Sequence, residues 1–213
     1  MPEPGVLESD FFQVIGTQRA MRRLKPDPVP EEHIKKIIWA ATRAPSGGNR
    51  QGWRWLVITD PESKKKIQEW YNEGWSRMTA SGYGAGAGLP EEERLSNERV
   101  MKSATYLAEH MHEVPVLILA CSLTGNGDIV SGSSIYPAVQ NLMLAARALG
   151  LGTALTTVHR GRQKEIRELL GIPESVETAA LIPVGWPKGK FGSGFRKPVE
   201  DVTYWDKWGA KKA

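Results

Sequence analysis

The chain has 213 residues, 40% apolar and 24% charged, with a net charge of +4, which fits one ordinary globular domain with a sizeable core. A single cysteine, Cys121, excludes an internal disulfide and a cysteine-cluster metal site, and no apolar run reaches membrane-spanning length. The mild positive charge suits anionic ligands, whereas dispersed basic residues without a groove-reading motif argue against nucleic acid.

The opening stretch MPEPGVLESD lacks the basic start and apolar run of a secretion signal, so a cytoplasmic location is expected. Glu8 to Thr17 reads as a short helix with Phe11, Phe12 and Ile15 on one side. Gln18-Arg19-Ala20-Met21-Arg22-Arg23 follows. Arg19 and Arg22 lie three apart, so one helical turn or a tight bend brings them together. Guanidinium forks match phosphate oxygens; on spacing alone, a solvated basic helix end is the plainer reading. Glu31 to Arg43 is a clear amphipathic helix, with Ile34, Ile37, Ile38 and Ala41 at helical spacing. Pro30 and the two glutamates suit its first turn.

Pro45 should stop any helix before it, because Ala44 is pushed out of the α region. Ser46-Gly47-Gly48-Asn49 then forms a tight polar turn. Asn49 and Gln51 carry amides that both donate and accept. Such a turn can grip a flat heterocycle with polar edges, and the upstream arginines suit a phosphate tail on it. Together they point to a mononucleotide such as FMN.

Trp55 to Thr59 is a strand candidate, and Glu62 to Trp75 a helix. Thr79 to Pro90 is rich in glycine. It follows a helix rather than a strand and lacks the glycine spacing of a dinucleotide fingerprint, so a mobile loop or lid is expected. Glu91 to Glu113 reads as a helix on which His110 and His112 face different ways, which argues against a metal pair. Val114 to Ser122 is a near-continuous apolar run, as for a strand buried on both faces, with Cys121 a buried hydrophobe. Gly125 to Gly132 reads as a loop. Ile135 to Leu149 is apolar nearly all round and must be covered on several sides, which a subunit interface around Leu142 would supply. Gly152 to Val158 is a strand candidate. Gln163 to Leu170 is a helix stopped by Gly171, and Thr178 to Val184 is the last strand. Pro198 to Ala213 is a polar, aromatic tail. With no repeats and no second unit, residues 1–213 read as one α+β domain, a sheet sandwiched by helices.

Four segments occur in order: RAMRRLKPDPVP (Arg19 to Pro30), APSGGNRQGW (Ala44 to Trp53), ALGLGTALTT (Ala148 to Thr157) and VGWPKGKFGSGFRKPVEDV (Val184 to Val202). Together they resemble the nitroreductase family of FMN-dependent oxidoreductases, over roughly Phe12 to Trp208. The resemblance implies a mostly antiparallel central sheet and an intertwined homodimer. It implies FMN as cofactor, NADH or NADPH as reductant, and a small, flat, electron-poor aromatic acceptor of nitroaromatic or quinone type, served by ping-pong hydride transfer. By the same resemblance Gln18, Arg19, Ala20, Met21, Arg22 and Arg196 hold the cofactor's phosphate end. Ser46, Gly47, Asn49 and Gln51 hold its ring and ribityl chain. A backbone N–H of Leu155-Thr156-Thr157 approaches flavin N5, and Ser134 approaches the flavin of the other subunit.

Two departures stand out. The family's usual Arg-Arg-Ser-x-Arg reads Gln18-Arg19-Ala20-Met21-Arg22 here, and Gly52 replaces a proline. No general base or nucleophile is evident, as suits hydride transfer governed by geometry. His159 is the only acid candidate near the flavin-facing strand and is expected to be a polar loop residue. A narrower alternative rests on Trp70-Tyr71-Asn72-Glu73-Gly74-Trp75. It resembles the lid of halotyrosine dehalogenases, where a tyrosine and a glutamate clamp a zwitterionic amino acid. A non-catalytic flavin-binding protein is the alternative from another class.

Overall fold

Residues 11–123 and 129–212 are described in the computed structural model. In chain order the regular elements are α1 (Phe11–Thr17), α2 (Glu31–Ala41), β1 (Trp53–Ile58), α3 (Pro61–Ala80), α4 (Glu91–His110), β2 (Val116–Ser122), α5 (Ile129–Ala148), β3 (Gly152–Thr153), α6 (Gln163–Leu170) and β4 (Glu177–Gly185). The strands form one antiparallel sheet in the order β1-β2-β4-β3.

β2 organises this sheet because every one of its residues is buried. Successive side chains of a strand point to opposite faces. Val116, Ile118 and Ala120 therefore enter a core with Ile37 of α2 and Val139 and Leu142 of α5. Leu117, Leu119 and Cys121 enter a second core with Ile67 and Trp75 of α3, Leu107 of α4 and Ile166 of α6. Two buried faces explain the unbroken apolar run. Helices thus cover both faces of the sheet. Burial pushes the Cys121 thiol up to about 11, in keeping with a buried hydrophobe.

Buried polar bonds tie the helices that flank the site. Lys64 Nζ donates to Val114 O at 2.8 Å, where the chain enters β2, and Gln68 Nε2 donates to Ala108 O at 2.8 Å, joining α3 to α4. Gly171 ends α6 in the left-handed conformation at φ 64°, as expected for a C-cap glycine.

Several boundaries differ from expectation. α3 runs on to Ala80, and α4 ends at His110 in a separate 3-10 turn over Met111–Glu113. α5 begins at Ile129, so Ile129 to Gly132 is helix rather than loop; residues 124–128, and Glu8 to Asp10 of the first predicted helix, lie outside the described residues. Leu142 is fully buried within its own chain, so it belongs to the core and not to a subunit interface. The large apolar residues α5 exposes are Ile129 and Val130 in its first turn, and Tyr136. Only Gly152 and Thr153 of the predicted 152–158 strand stay in the sheet, with one further bridge at Thr156. A 3-10 turn over Val158–Arg162 then carries the chain away. In the tail, Trp205 N–H donates to Ala210 O and Lys211 Nζ to Glu200 O, which closes it on itself locally. Among the described residues, no helix is long and apolar enough to cross a membrane.

His159 is not a polar loop residue. It is 1% exposed, with Nε2 3.4 Å from Thr178 O, and burial lowers its pKa to about 4. The unfolded chain would protonate this ring near pH 6.5, so between about pH 6.5 and 4 the unfolded state binds the extra proton. Stability should fall as pH drops through that window, by roughly 3 kcal/mol from this group in full. Urea unfolding at pH 7.5 and 5.0 checks it. The midpoint should drop at pH 5.0, and His159→Gln should lose much of that drop; an equal drop in the variant would assign it to other groups.

Candidate functional site

The segment before α2 is stitched to the sheet on both of its edges. Met21 N–H donates to Thr153 O at 2.8 Å, while Lys25 N–H donates to Trp186 O and Lys188 N–H to Arg23 O. Met21 and Leu24 are buried and lie against Gly152, where a Cβ would sit 2.8 Å from Leu24 Cδ2 and Met21 Cβ. Only glycine permits that approach. Between these anchors Arg22 projects into a cavity of about 360 Å³. Tyr71, Trp75, Tyr83, Met101 and Thr156 also line it.

Arg22 Nη1 donates to Ser103 Oγ at 3.2 Å. No carboxylate pairs with Arg22 among the described residues. Desolvation lowers its pKa from the ordinary arginine value. A guanidinium has five N–H donors, so this one has donors to spare for an anionic or electron-rich group. The strand end supplies more. Thr156 N–H is consumed by Leu181 O at 3.0 Å, and Leu181 N–H returns a bond to Thr156 O at 2.9 Å. This corrects the expectation for Thr156: its N–H belongs to the sheet. Leu155 and Thr157 flank it, both exposed, with no protein acceptor for either N–H among the described residues. The Tyr71 hydroxyl lies 3.0 Å from Thr156 Oγ1, and Val158 N–H donates to the same oxygen at 3.4 Å.

The expected phosphate residues divide. Arg19 is exposed and donates from Nη2 to Lys190 O at 3.0 Å. Gln18 Nε2 lies 3.9 Å from Met143 Sδ. Arg147, which the sequence reading missed, joins them: its Nε donates to Thr17 Oγ1 at 3.0 Å, and its guanidinium lies 4.0 Å from the Phe191 ring centre. Its signal was present, since it is the only charged residue in α5. Ala20 is exposed and its backbone bridges to Thr153. Met21 is a correction, because its side chain is in the core and its N–H is taken. Arg196 is exposed and bonds the adjacent Phe195 O at 2.8 Å.

The Ser46–Gln51 turn is set by its own bonds. Gly48, Asn49 and Gln51 take left-handed φ values of 59°, 52° and 49°. Gln51 N–H donates to Ser46 Oγ at 3.0 Å, and Gln51 Nε2 to Asn49 Oδ1 at 3.2 Å. These bonds hold the turn without the proline that Gly52 replaces. Gly47 N–H donates to Ser134 Oγ at 3.2 Å, so Ser134 meets the turn of its own chain. Ser134 lies near the start of α5 and Met143 nine residues on, about 13 Å along the helix axis. Within one chain the turn and the Gln18–Arg22 segment sit at different stations of α5, and no hydrogen bond joins them.

The glycine-rich loop roofs the cavity. Tyr83 meets Trp75 edge to face at 5.9 Å, and Asn97 Nδ2 donates to Gly84 O at 2.7 Å. A Cβ on Gly84 would fall 2.2 Å from Met101 Sδ. Tyr71 and Glu73 do not act as a pair here. Positions two apart face different sides of a helix, so Tyr71 turns inward while Glu73 pairs with Arg162 at 2.8 Å on the outside.

Comparison with known proteins gives the family. The model of the Nitroreductase family matches residues 15–186. A Methanothermobacter thermautotrophicus protein with the provisional name NADH dehydrogenase/NAD(P)H nitroreductase is 32% identical over 188 residues, 85% of this chain and 80% of that one. Iodotyrosine deiodinase 1 of Rattus norvegicus is 29% identical over 187 residues, 84% of this chain but only 62% of its own length. A crystal structure of oxidised iodotyrosine deiodinase bound to FMN and 3-iodo-L-tyrosine shares the fold, with a TM-score of 0.72 at 24% identity over 89% of this chain and 96% of that one. By its motifs, its fold and the extent of the family match, this chain belongs to the nitroreductase family.

Proposed function

We propose that this protein is an FMN-dependent oxidoreductase that uses NADH or NADPH to reduce a flat, electron-poor acceptor of nitroaromatic or quinone type. One observation carries this reading: an arginine without a carboxylate and two strand-end N–H groups without acceptors border one aromatic-walled cavity. That donor set fits an electron-rich heterocycle with an anionic tail. Bound there, FMN would supply two-electron hydride chemistry between the nicotinamide and the second substrate. The N–H groups of Leu155 and Thr157 would donate to the edge of its ring, and Arg22 would stabilise negative charge on it without any side-chain acid. Arg19, Arg147 and Gln18 would hold the phosphate. Trp75, Tyr83 and Met101 exclude water, and one cavity serving both substrates in turn gives ping-pong kinetics.

A homodimer completes the reading. Phe11, Phe12, Trp39 and Ile129 are 62%, 78%, 61% and 91% exposed, apolar side chains that a partner subunit could cover. A second copy would cover them and bring its own Ser46–Gln51 turn to the Gln18–Arg22 segment. Halotyrosine dehalogenation is a second reading, favoured by the likeness to the rat relative. Against it, Glu73 is engaged by Arg162 and is unavailable to clamp an amino acid.

FMN-loaded protein, made anaerobic and given NADH and then NADPH, should lose its flavin absorption with at least one of them. It should regain it on addition of a quinone. A loaded protein that neither reductant bleaches would contradict the oxidoreductase reading. Sedimentation velocity should give about twice the mass of one chain, and a monomer would remove the shared site. Titration with 3-iodo-L-tyrosine should leave the flavin bands unperturbed at micromolar concentration; tight binding would instead favour the dehalogenase.

A further inference from the structure

The proposed reaction leaves one group of the cavity without a task. Tyr71 is 4% exposed, and its ring belongs to the core it shares with Ile67, Trp75 and Leu107. Tyr71 nevertheless lines the cavity beside Thr156, with the two hydroxyl oxygens 3.0 Å apart. Thr156 Oγ1 also accepts from Val158 N–H.

Counting hydrogens settles what this pair offers. It carries two hydroxyl hydrogens and shares one hydrogen bond. If Thr156 donates, the Tyr71 hydrogen is left over; if Tyr71 donates, the Thr156 hydrogen is. Among the described residues neither hydroxyl makes another side-chain hydrogen bond that would take it. A donor left unpaired in a buried wall costs free energy that a ligand oxygen recovers. The Val158 N–H uses one lone pair of Thr156 Oγ1, and the pair keeps one hydrogen to donate to a ligand oxygen. Burial holds the phenol neutral by raising its pKa, so the spare hydrogen stays in place.

We propose that the Tyr71–Thr156 hydroxyl pair selects the electron acceptor by donating a hydrogen bond to an oxygen of its nitro or carbonyl group. The inference rests on the oxidoreductase reading above and adds to it the feature the acceptor must carry. A neutral donor in an apolar wall suits a neutral, polarised oxygen rather than a phosphate. A site built to bond such an oxygen discriminates against flat molecules that lack it. The flanking Arg22 and strand-end N–H groups are left for the cofactor.

Tyr71→Phe tests this, since it deletes one oxygen and keeps the ring in the core. Wild type and variant should load the same amount of FMN, and reduced nicotinamide should bleach both completely. Menadione should reoxidise the reduced variant about tenfold more slowly, and its dissociation constant for the oxidised variant, read from the flavin bands, should rise about tenfold. Ferricyanide, which needs no pocket oxygen contact, should reoxidise both proteins equally. Unchanged menadione binding and reoxidation would overturn the inference. Equal slowing with menadione and ferricyanide would also overturn it, by assigning the hydroxyl to structure. A wild type that takes up no flavin would overturn the oxidoreductase reading, and this inference with it; a loaded, bleachable wild type beside an unaffected variant overturns the inference alone.

Discussion

The site depends on one stitched segment. Backbone bonds from Met21 to Thr153, and between Arg23, Lys25 and the Trp186–Lys188 stretch, fix residues 21–25 between two parts of the sheet. Gly152 lets Met21 and Leu24 approach closely enough for those bonds to form. With Met21 and Leu24 turned into the core, Arg22 is presented to the cavity. Its charge survives partial burial because Ser103 accepts from it and because the rest of its donors face a space made for a ligand. An unpaired buried guanidinium is costly in a finished core and reasonable in a binding site.

The neighbouring strand end obeys the same logic. At Thr156 the chain makes its last pair of bonds to Leu181 and then turns into Val158–Arg162. Leaving the sheet exposes the N–H groups on either side of the final bridge. Strand ends and turns are where a rigid scaffold presents unpaired donors. The cavity therefore combines one cation, neutral N–H and O–H donors and aromatic walls, with no acid lining it. Such surroundings favour accumulation of negative charge on a flat ligand over proton abstraction from one.

Much of this was legible in the chain. β2 declared itself by an apolar run that only a doubly covered strand needs, and α6 by its periodicity and Gly171. The Ser46–Asn49 turn followed from its turn-forming residues, and in the structure Gly48, Asn49 and Gln51 take left-handed φ values. Other features were set by contacts distant in sequence. The strand at 152 is broken after Thr153, bridges once more at Thr156 to Leu181 and then gives way to the 3-10 turn over Val158–Arg162 against α3, which no local pattern encodes. Leu142 looked like interface because an all-round apolar helix does not say which partner covers each side; its own sheet and α2 do. His159 looked polar by residue type, yet a neighbouring carbonyl lets it be buried neutral. Tyr71 and Glu73 looked like one lid motif until helical geometry sent them to opposite sides. Arg147 was the lone charge in an apolar helix, and lone charges in such settings repay closer reading.

The central claim is that Arg22 and the strand end at Leu155–Thr157 form a flavin site. The most direct measurement is the FMN dissociation constant of the wild type and of Arg22→Met, which keeps an unbranched stem while removing the guanidinium and its charge. The account predicts saturable uptake of one FMN per chain by the wild type, weakened roughly tenfold or more in the variant, as for the loss of a charge-assisted hydrogen bond. Equal affinity in the two proteins, or no uptake by either, would contradict it.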